Sequence, residues 1–344
     1  MKLPVLHFES AIAATGAATS SIRNVGIPAL VFFSLSFAHP LPLLPQTAAP
    51  AHPAASPLPK PIITQPTLVR RYQEGEKIAY KMTGINQSRS QTVEYEARAE
   101  GAVRKDPSGT FVEDLAWTDL LWNDEQIRLL PASRAFREPL SLAQGFKLSI
   151  PDLGKVQTRL IGPITDLLTF YADVKMAMNQ KGLVRAGDQA YVKYGAGGSW
   201  ADGTQVVLGQ DAIDFDITLQ SIDRATQIAT LVVRHVPPAQ PQIKLPAAWM
   251  VNPAGGAANN WVQVEKSSDG KYVAGVGWET FDVQIKISLA TGRIVSATMD
   301  NPIDVLERDC DDAALAVCRP PDRYRIRRQI SLEAVPAGGL DFSR

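Results

Sequence analysis

Two stretches of the chain alternate strictly between apolar and polar residues. In residues 213–220 and again in residues 281–289, every second side chain is apolar and its neighbours are Asp, Gln, Lys, Ser or Thr. A period of two over eight or nine residues is typical of a β-strand with one buried and one solvated face. These segments therefore predict two strands of an antiparallel sheet.

Weaker versions of the same pattern occur along most of the chain after residue 67. Turn signals occur at residues 223–226, at Asp269-Gly270 and at Thr291-Gly292, where short polar residues and glycine favour chain reversal. No strand alternates with a helix in the manner of a parallel sheet. The further strands predicted are 77–83, 92–99, 110–117, 190–194, 226–236, 261–265 and 324–332.

Only one segment of this region has the pattern of a long helix. Between Gly162 and Gly182, apolar residues recur three and four positions apart, and they also occupy other sides of the helix. Pro163 suits a first helical position, so the helix is predicted over residues 163–181. A helix with so much apolar surface should be covered from more than one direction.

These patterns together predict a mainly β (α+β) fold. We expect one large antiparallel sheet or half-barrel, curled around a single long central helix, in one domain over residues 67–336. Residues 337–344 are expected to form a tail.

Composition excludes some classes of function. The chain has 344 residues with 35 Lys and Arg against 35 Asp and Glu, so no charge excess favours nucleic acid. The local cluster Arg323, Arg325, Arg327 and Arg328 fits a solvated strand face better than a phosphate site, and we expect no nucleic-acid partner.

The N-terminus has the features of an export signal. An uncharged apolar run over residues 25–38 follows Arg23, and Ser36 and Ala38 are small residues of the kind that signal peptidase recognises. Cleavage after Ala38 would give an exported periplasmic or extracellular protein without an integral membrane span. The alternative is a retained anchor that continues to Leu44.

Residues 39–66 contain nine of the 25 prolines and almost no charge. This composition cannot bury a core and favours an extended spacer, so residues 39–66 are predicted to be a linker.

Histidine and cysteine limit the chemistry available. Of the four histidines only His235 lies beyond the linker, which excludes a zinc site made of several histidines. Cys310 and Cys318 are the only cysteines, and in an exported protein a pair at this separation predicts a disulfide, with free thiols as the alternative. We expect neither a metal nor a cofactor.

Two short motifs match those of catalytic families but lack the surrounding sequence that each family requires. Asp214 to Thr218 reads D-F-D-I-T, the pattern of a phosphotransferase nucleophile, but it lies within an alternating strand and fits solvent-facing aspartates. Ser268 and Lys271 have the spacing of a penicillin-binding enzyme, yet Asp269-Gly270 between them is a hairpin turn signal. We expect no catalytic residue in either.

Four runs of the sequence resemble an uncharacterised group of exported bacterial proteins with no assigned activity. They are L-I-G-P-I-T-D-L-L-T-F-Y-A-D (160–173), S-W-A-D-G-T (199–204), V-P-P-A-Q-P-Q-I-K (236–244) and D-N-P-I-D-V-L-E-R-D-C (300–310). At the level of fold alone, a curled antiparallel sheet that holds a helix is similar to the lipoprotein carriers of the periplasm. Fold does not determine function, so this resemblance transfers no binding residue.

The leading functional hypothesis is a non-enzymatic exported protein that binds a lipid or other hydrophobic ligand between its sheet and its helix. Two alternatives stay open: a structural or interaction module of the cell envelope, and a hydrolase that uses carboxylates such as Asp188, Asp202 or Asp211. The candidate ligand-binding residues are Leu167, Leu168, Tyr171 and Met178 on the helix, with Trp200 and Trp249 at the rim of the cavity.

Overall fold

The computed structural model describes residues 68–89, 91–195, 200–201, 205–250 and 255–338. The predicted signal peptide 1–38, the linker 39–66 and residues 339–344 of the predicted tail lie outside the described residues.

The described part of the chain is mainly β, with one large antiparallel sheet and two helices. The helices are α1 (Pro131–Ala135) and α2 (Thr158–Met178), and a 3-10 turn precedes α2 at Leu153–Lys155. The fifteen strands are β1 Lys77–Ser88, β2 Gln91–Lys105, β3 Phe111–Trp122, β4 Glu125–Gln126, β5 Glu138–Leu140, β6 Gln189–Gly195, β7 Trp200–Ala201, β8 Gln205–Gly209, β9 Ala212–Asp223, β10 Ile228–Val236, β11 Asn259–Lys266, β12 Tyr272–Glu279, β13 Phe281–Ser288, β14 Ile294–Cys310 and β15 Asp322–Ala334.

The sheet branches along the long strand β14. One edge of β14 pairs with β15, while the other edge pairs first with β13 and then, beyond Pro302, with β12. Strands β13, β10, β9 and β6 continue the first branch, and β12, β11, β8 and β7 form the second. This second branch, together with the parts of β14 and β15 beyond Pro302, is what we call the distal wing. Thr280 alone separates β12 from β13, so the chain passes directly from one branch to the other.

The strict alternation predicted from the sequence is confirmed in β13. Its apolar residues are at most 1% exposed, whereas Asp282, Gln284 and Lys286 face solvent. The main core contains the apolar side chains of α2 and those that face it from β1, β2 and β3, from β9, β10 and β13, and from the near halves of β14 and β15.

The long helix has other bounds than predicted, and it is accompanied by a second, short helix. It begins at Thr158 and ends at Met178, five residues before the predicted start and three before the predicted end. Pro163 lies inside α2 rather than at its first position. Because proline has no backbone N–H, the Arg159 carbonyl receives no helical hydrogen bond from Pro163. The second helix, α1, is one short turn and was not predicted.

Candidate functional site

The helix residues predicted to contact a ligand lie together in the main core. Leu167, Leu168 and Tyr171 are each at most 1% exposed, and Met178 packs half-buried against the same cluster. Seventeen of the residues of α2 are buried in this way. The structure therefore surrounds the predicted ligand residues of α2 with protein side chains.

The two predicted rim tryptophans do not join them. Trp249 belongs to a second apolar cluster on the distal wing, and its indole N–H donates to the Leu315 carbonyl at 3.0 Å. The side chain of Trp200 lies outside the described residues, although its backbone in β7 pairs opposite Val207 of β8. Trp249 is thus a packing residue of another layer.

Tyr171 attaches α2 to the strands on one side. Its hydroxyl donates to the Glu113 carboxylate on β3 and lies 3.1 Å from the hydroxyl of Tyr80 on β1. Glu113 also accepts from Arg70 Nε at 2.7 Å. Burial, reinforced by the Glu113 charge, holds the pKa of Tyr171 well above its usual value. Tyr171 therefore acts as a neutral donor within the core.

Asp166 attaches α2 through a buried network that we call the polar septum. Arg328 Nη2 of β15 donates to Asp166 at 2.8 Å, and Arg328 Nη1 donates to Asn301 Oδ1 of β14 at the same distance. Glu279 of β12 then accepts from the amides of Asn301 and Asn259 at 3.2 and 2.6 Å. Because each of these groups has a partner, the septum places charge in the interior without an unpaired ion.

Burial raises the pKa of both carboxyls in the polar septum. It is the largest influence on Asp166, where Arg328 opposes it, and it raises the pKa of Glu279 to about 7. Along β14 the septum lies between Met299 of the main core and Ile303 of the distal wing. It thus marks the polar boundary of the main core.

Asp173 attaches the other side of α2 to β10. His235 Nε2 lies 2.8 Å from Asp173 Oδ1, and both side chains are fully buried. The rings of Phe215 and Phe281 lie 4.7 and 4.4 Å from the imidazole. Burial raises the pKa of Asp173, against the effect of His235. A histidine without solvent access fits a structural attachment better than a catalytic base.

A separate apolar cluster, the distal patch, lies beyond the polar septum. Register places Trp261, Val305 and Tyr324 in one row across β11, β14 and β15, with Gly277 of β12 between them. Ile303 and Ile326 lie in the neighbouring row, and all five side chains are at most 9% exposed. This patch forms a cluster distinct from the main core that contains α2.

Gly277 allows the floor of this patch to be flat. A Cβ added at Gly277 would come within 2.1 Å of the Trp261 indole, so the ring lies directly on the glycine backbone. Gly275, two residues earlier on β12, likewise adds no side chain between Gln263 and Glu307 in the next row. The distal patch is therefore an apolar floor with aromatic rings at both ends of one row.

Three buried polar atoms border this floor. Within the described part of the chain, Trp261 Nε1, Gln263 Oε1 and Ser88 Oγ have no hydrogen-bond partner. Gln263 follows Trp261 by two residues on β11. Ser88 lies on β1 and pairs opposite Ile326 of β15. A buried polar group without a partner costs about 1–3 kcal/mol. These atoms are consistent with a site for a molecule that carries polar groups.

Tyr324 is the most exposed residue of the patch, at 9%. The Arg89 guanidinium stacks 4.3 Å from its ring centre and forms an ion pair with Asp322 at the surface. The Tyr324 hydroxyl donates to Glu307 at 3.0 Å, and burial raises the pKa of that carboxyl. Arg89 and Tyr324 thus mark the side on which the patch approaches solvent.

The opposite face of the distal wing carries the disulfide. Cys310 and Cys318 are bonded, which confirms the predicted pair. Both contribute to the second apolar cluster together with Met250, Val276 and Leu306. The disulfide therefore stabilises a packed layer on the far side of the wing from the distal patch.

The candidate catalytic carboxylates have local roles where they are described. Asp188 accepts from the backbone N–H groups of Val184 and Arg185, and Asp211 accepts from the Gln242 N–H at 2.8 Å. Asp202 lies outside the described residues. Asp188 therefore closes a local turn, and Asp211 joins its own segment to the one around Gln242.

Asp214 corrects one interpretation of the D-F-D-I-T motif. It is only 3% exposed and accepts from the Tyr191 hydroxyl on β6, so it does not face solvent as expected. Its neighbour Asp216 is half-buried. The cause is β6, which pairs with β9 and covers Asp214.

The arginine cluster divides between two faces of β15. Arg325 forms a two-bond ion pair with Asp304, and Arg327 lies 3.8 Å from Asp300 on the solvated face. Arg328 points inward into the polar septum. Sequence reasoning missed this inward role, although alternation in β15 signals it, because Arg328 has the parity of Ile326 and Ile330.

Neither a metal-binding cluster nor a membrane-crossing helix is present in the part of the chain that the structure describes. No group of three or more His, Cys, Asp or Glu residues there could hold a metal ion. None of the described helices combines the length and the apolar character that a membrane crossing requires.

Comparison with protein-family models, with curated proteins and with solved structures found no match for this chain. The geometry of the described residues is therefore the basis for the function proposed below.

Proposed function

We propose that this protein is exported, does not catalyse a reaction, and binds a lipid or other hydrophobic ligand on the distal patch. The observation that carries the proposal is the apolar floor of Trp261, Val305 and Tyr324 with unpartnered polar atoms at its border. Apolar sites with a few polar groups at fixed positions are typical of small-molecule binding. The ligand is assigned to the distal patch rather than to α2 because three unpartnered polar atoms border the patch, whereas Leu167, Leu168 and Tyr171 pack within the main core.

The two attachments of α2 to distant strands support a curled sheet. Tyr171 contacts β3 and Asp173 contacts β10, although β3 and β10 are six positions apart in the strand order. Six strand spacings in a flat sheet would span about 29 Å, whereas a helix is about 10–12 Å across. We infer that the sheet curls around α2 as a half-barrel, which α2 fills at one end and the distal patch continues at the other.

A matched pair of valine substitutions tests the binding site. Val305 lies in the distal patch and Val276 lies in the cluster on the opposite face of the same wing, and both are at most 3% exposed. Val305→Thr places a hydroxyl under the ligand, at a cost of about 1–3 kcal/mol, which corresponds to about 5- to 150-fold weaker binding. Val276→Thr alters only the opposite layer.

The measurement is titration of the full chain with N-phenyl-1-naphthylamine, a neutral apolar dye whose fluorescence rises on binding. The proposal expects saturable binding that Val305→Thr weakens and Val276→Thr leaves within twofold. Absence of saturable binding, or equal effects of the two substitutions, would overturn it.

A second candidate function is an interaction module of the cell envelope. A groove of about 500 Å³ on the solvated side of the sheet favours it, lined in part by Thr83, Gln284, Thr298 and Ser331 on four adjacent strands. Native mass spectrometry of the same protein separates the two functions. An apolar adduct released on denaturation supports ligand binding, and a ligand-free oligomer supports the interaction module.

A further inference from the structure

We infer that the ligand of the distal patch carries a neutral hydrogen-bonding head group, such as the ester and hydroxyl of a monoacylglycerol, rather than a free carboxylate. This inference rests on the proposed function and names the chemical class of its ligand.

The two unpartnered atoms on β11 have complementary requirements. An indole N–H can only donate, so Trp261 Nε1 needs an acceptor such as a carbonyl oxygen. Gln263 Oε1 can only accept, so it needs an O–H or N–H donor. The two residues are two positions apart on the same face of a strand, about 7 Å along the chain. An ester carbonyl with a nearby hydroxyl supplies both groups over such a distance.

The charges around the patch oppose an anionic head group. Gln263, Gly275 and Glu307 lie in register across β11, β12 and β14, and Gly275 places no side chain between the other two. Glu307 therefore faces the polar end of the patch, where its charge would repel a carboxylate.

The cations near the patch already have anionic partners. Arg328 pairs with Asp166 within the polar septum, and Arg89 pairs with Asp322 at the surface. A buried carboxylate needs a cation or several donors to offset its lost hydration. A neutral head group avoids this requirement and still satisfies Trp261 and Gln263.

Competition among three molecules with the same hydrocarbon chain tests the head-group preference. Monopalmitoylglycerol, methyl palmitate and palmitate are each used to displace N-phenyl-1-naphthylamine from the full chain at pH 8. We expect monopalmitoylglycerol to compete best, because it alone offers both an acceptor and a hydroxyl donor, and palmitate to compete at least tenfold less well. Equal or stronger competition by palmitate would overturn the inference.

Two variants connect the preference to the named atoms. Trp261→Phe removes the donor and keeps an aromatic ring, and it should weaken monopalmitoylglycerol about tenfold more than it weakens the dye. Trp249→Phe, which removes an indole N–H on the opposite face, is the control and should change neither. Gln263→Leu is a second test at a half-buried position, and it should reduce the advantage of monopalmitoylglycerol over methyl palmitate.

The outcomes separate this inference from the proposed function. If the dye binds and Val305→Thr weakens it, but neither Trp261→Phe nor Gln263→Leu weakens monopalmitoylglycerol relative to the dye, only the head-group inference is wrong. If the dye shows no saturable binding, the proposed function fails and the head-group inference fails with it.

Discussion

Glu138 provides a sensitive test of how burial affects the protonation of a carboxyl in this core. It begins β5, pairs opposite Leu115 of β3, and is 1% exposed. Trp117 Nε1 donates to Glu138 Oε2 at 3.0 Å, and no described residue offers Oε1 a hydrogen bond. Burial raises the pKa of Glu138 from 4.5 to about 8. The folded protein therefore keeps this carboxyl protonated at neutral pH.

This shift makes stability fall as the pH rises. Between about pH 4.5 and pH 8 the folded protein holds a proton on Glu138 that the unfolded chain releases. The free energy of unfolding then decreases by about 1.4 kcal/mol per pH unit from this group. Glu138→Gln mimics the protonated carboxyl and cannot titrate. From pH 5 to pH 8 we expect wild type to lose about 3–4 kcal/mol more than the variant.

Urea unfolding of both proteins at pH 5, 6, 7 and 8 measures this difference directly. Other titrating groups, such as Glu279, are common to both proteins and cancel in the comparison. Glu125→Gln, at an exposed position in β4, is the control and should run parallel to wild type. If Glu138→Gln also runs parallel to wild type across this range, the burial argument for Glu138 is refuted.

Three further sets of substitutions test other parts of the fold, each by urea unfolding. Asp166→Leu or Arg328→Met alone should cost about 3–5 kcal/mol by leaving a buried charge unpaired, and combining the two should recover most of the loss. Gly84→Ala should cost about 1–3 kcal/mol, because the new Cβ would lie 2.1 Å from the Tyr95 ring. Replacing Cys310 and Cys318 by alanine should cost about 2–3 kcal/mol by releasing a short loop.

Each of these expectations has a contradicting result. Additive losses in the double variant would show that Asp166 and Arg328 do not form a coupled pair. An unchanged stability of Gly84→Ala would contradict the close contact with Tyr95, for which Gly182→Ala, with open space around it, is the control. Equal stability of the cysteine-free and oxidised proteins would show that the disulfide adds nothing to the fold.

The elements that could be predicted from sequence are those with an uninterrupted local pattern. β13 has alternation over its whole length, and α2 has helical spacing of apolar residues. β12 escaped prediction because Gly275 and Gly277 remove side chains that would show the alternation. β14 was missed since Asn301 and Pro302 interrupt it at the point where its neighbour changes from β13 to β12.

The candidate site was harder to predict because its residues are distant in sequence. Asp166 and Arg328 are 162 positions apart, so nothing local indicates that a charged residue in an apolar helix has a buried partner. The distal patch combines single residues from β11, β14 and β15, each unremarkable in its own strand. Of the tryptophans, Trp261 lies on the distal patch and Trp249 packs in the cluster on the opposite face.

Photo-crosslinking tests the location of the ligand most directly. The full chain is irradiated with a monoacylglycerol that carries a diazirine in its acyl chain, and the labelled peptides are identified by mass spectrometry with unlabelled monopalmitoylglycerol as competitor. The account predicts competed labelling on β11, β12, β14 and β15 around Trp261, Val305 and Tyr324. Competed labelling on α2 around Leu167 and Leu168 instead would contradict it.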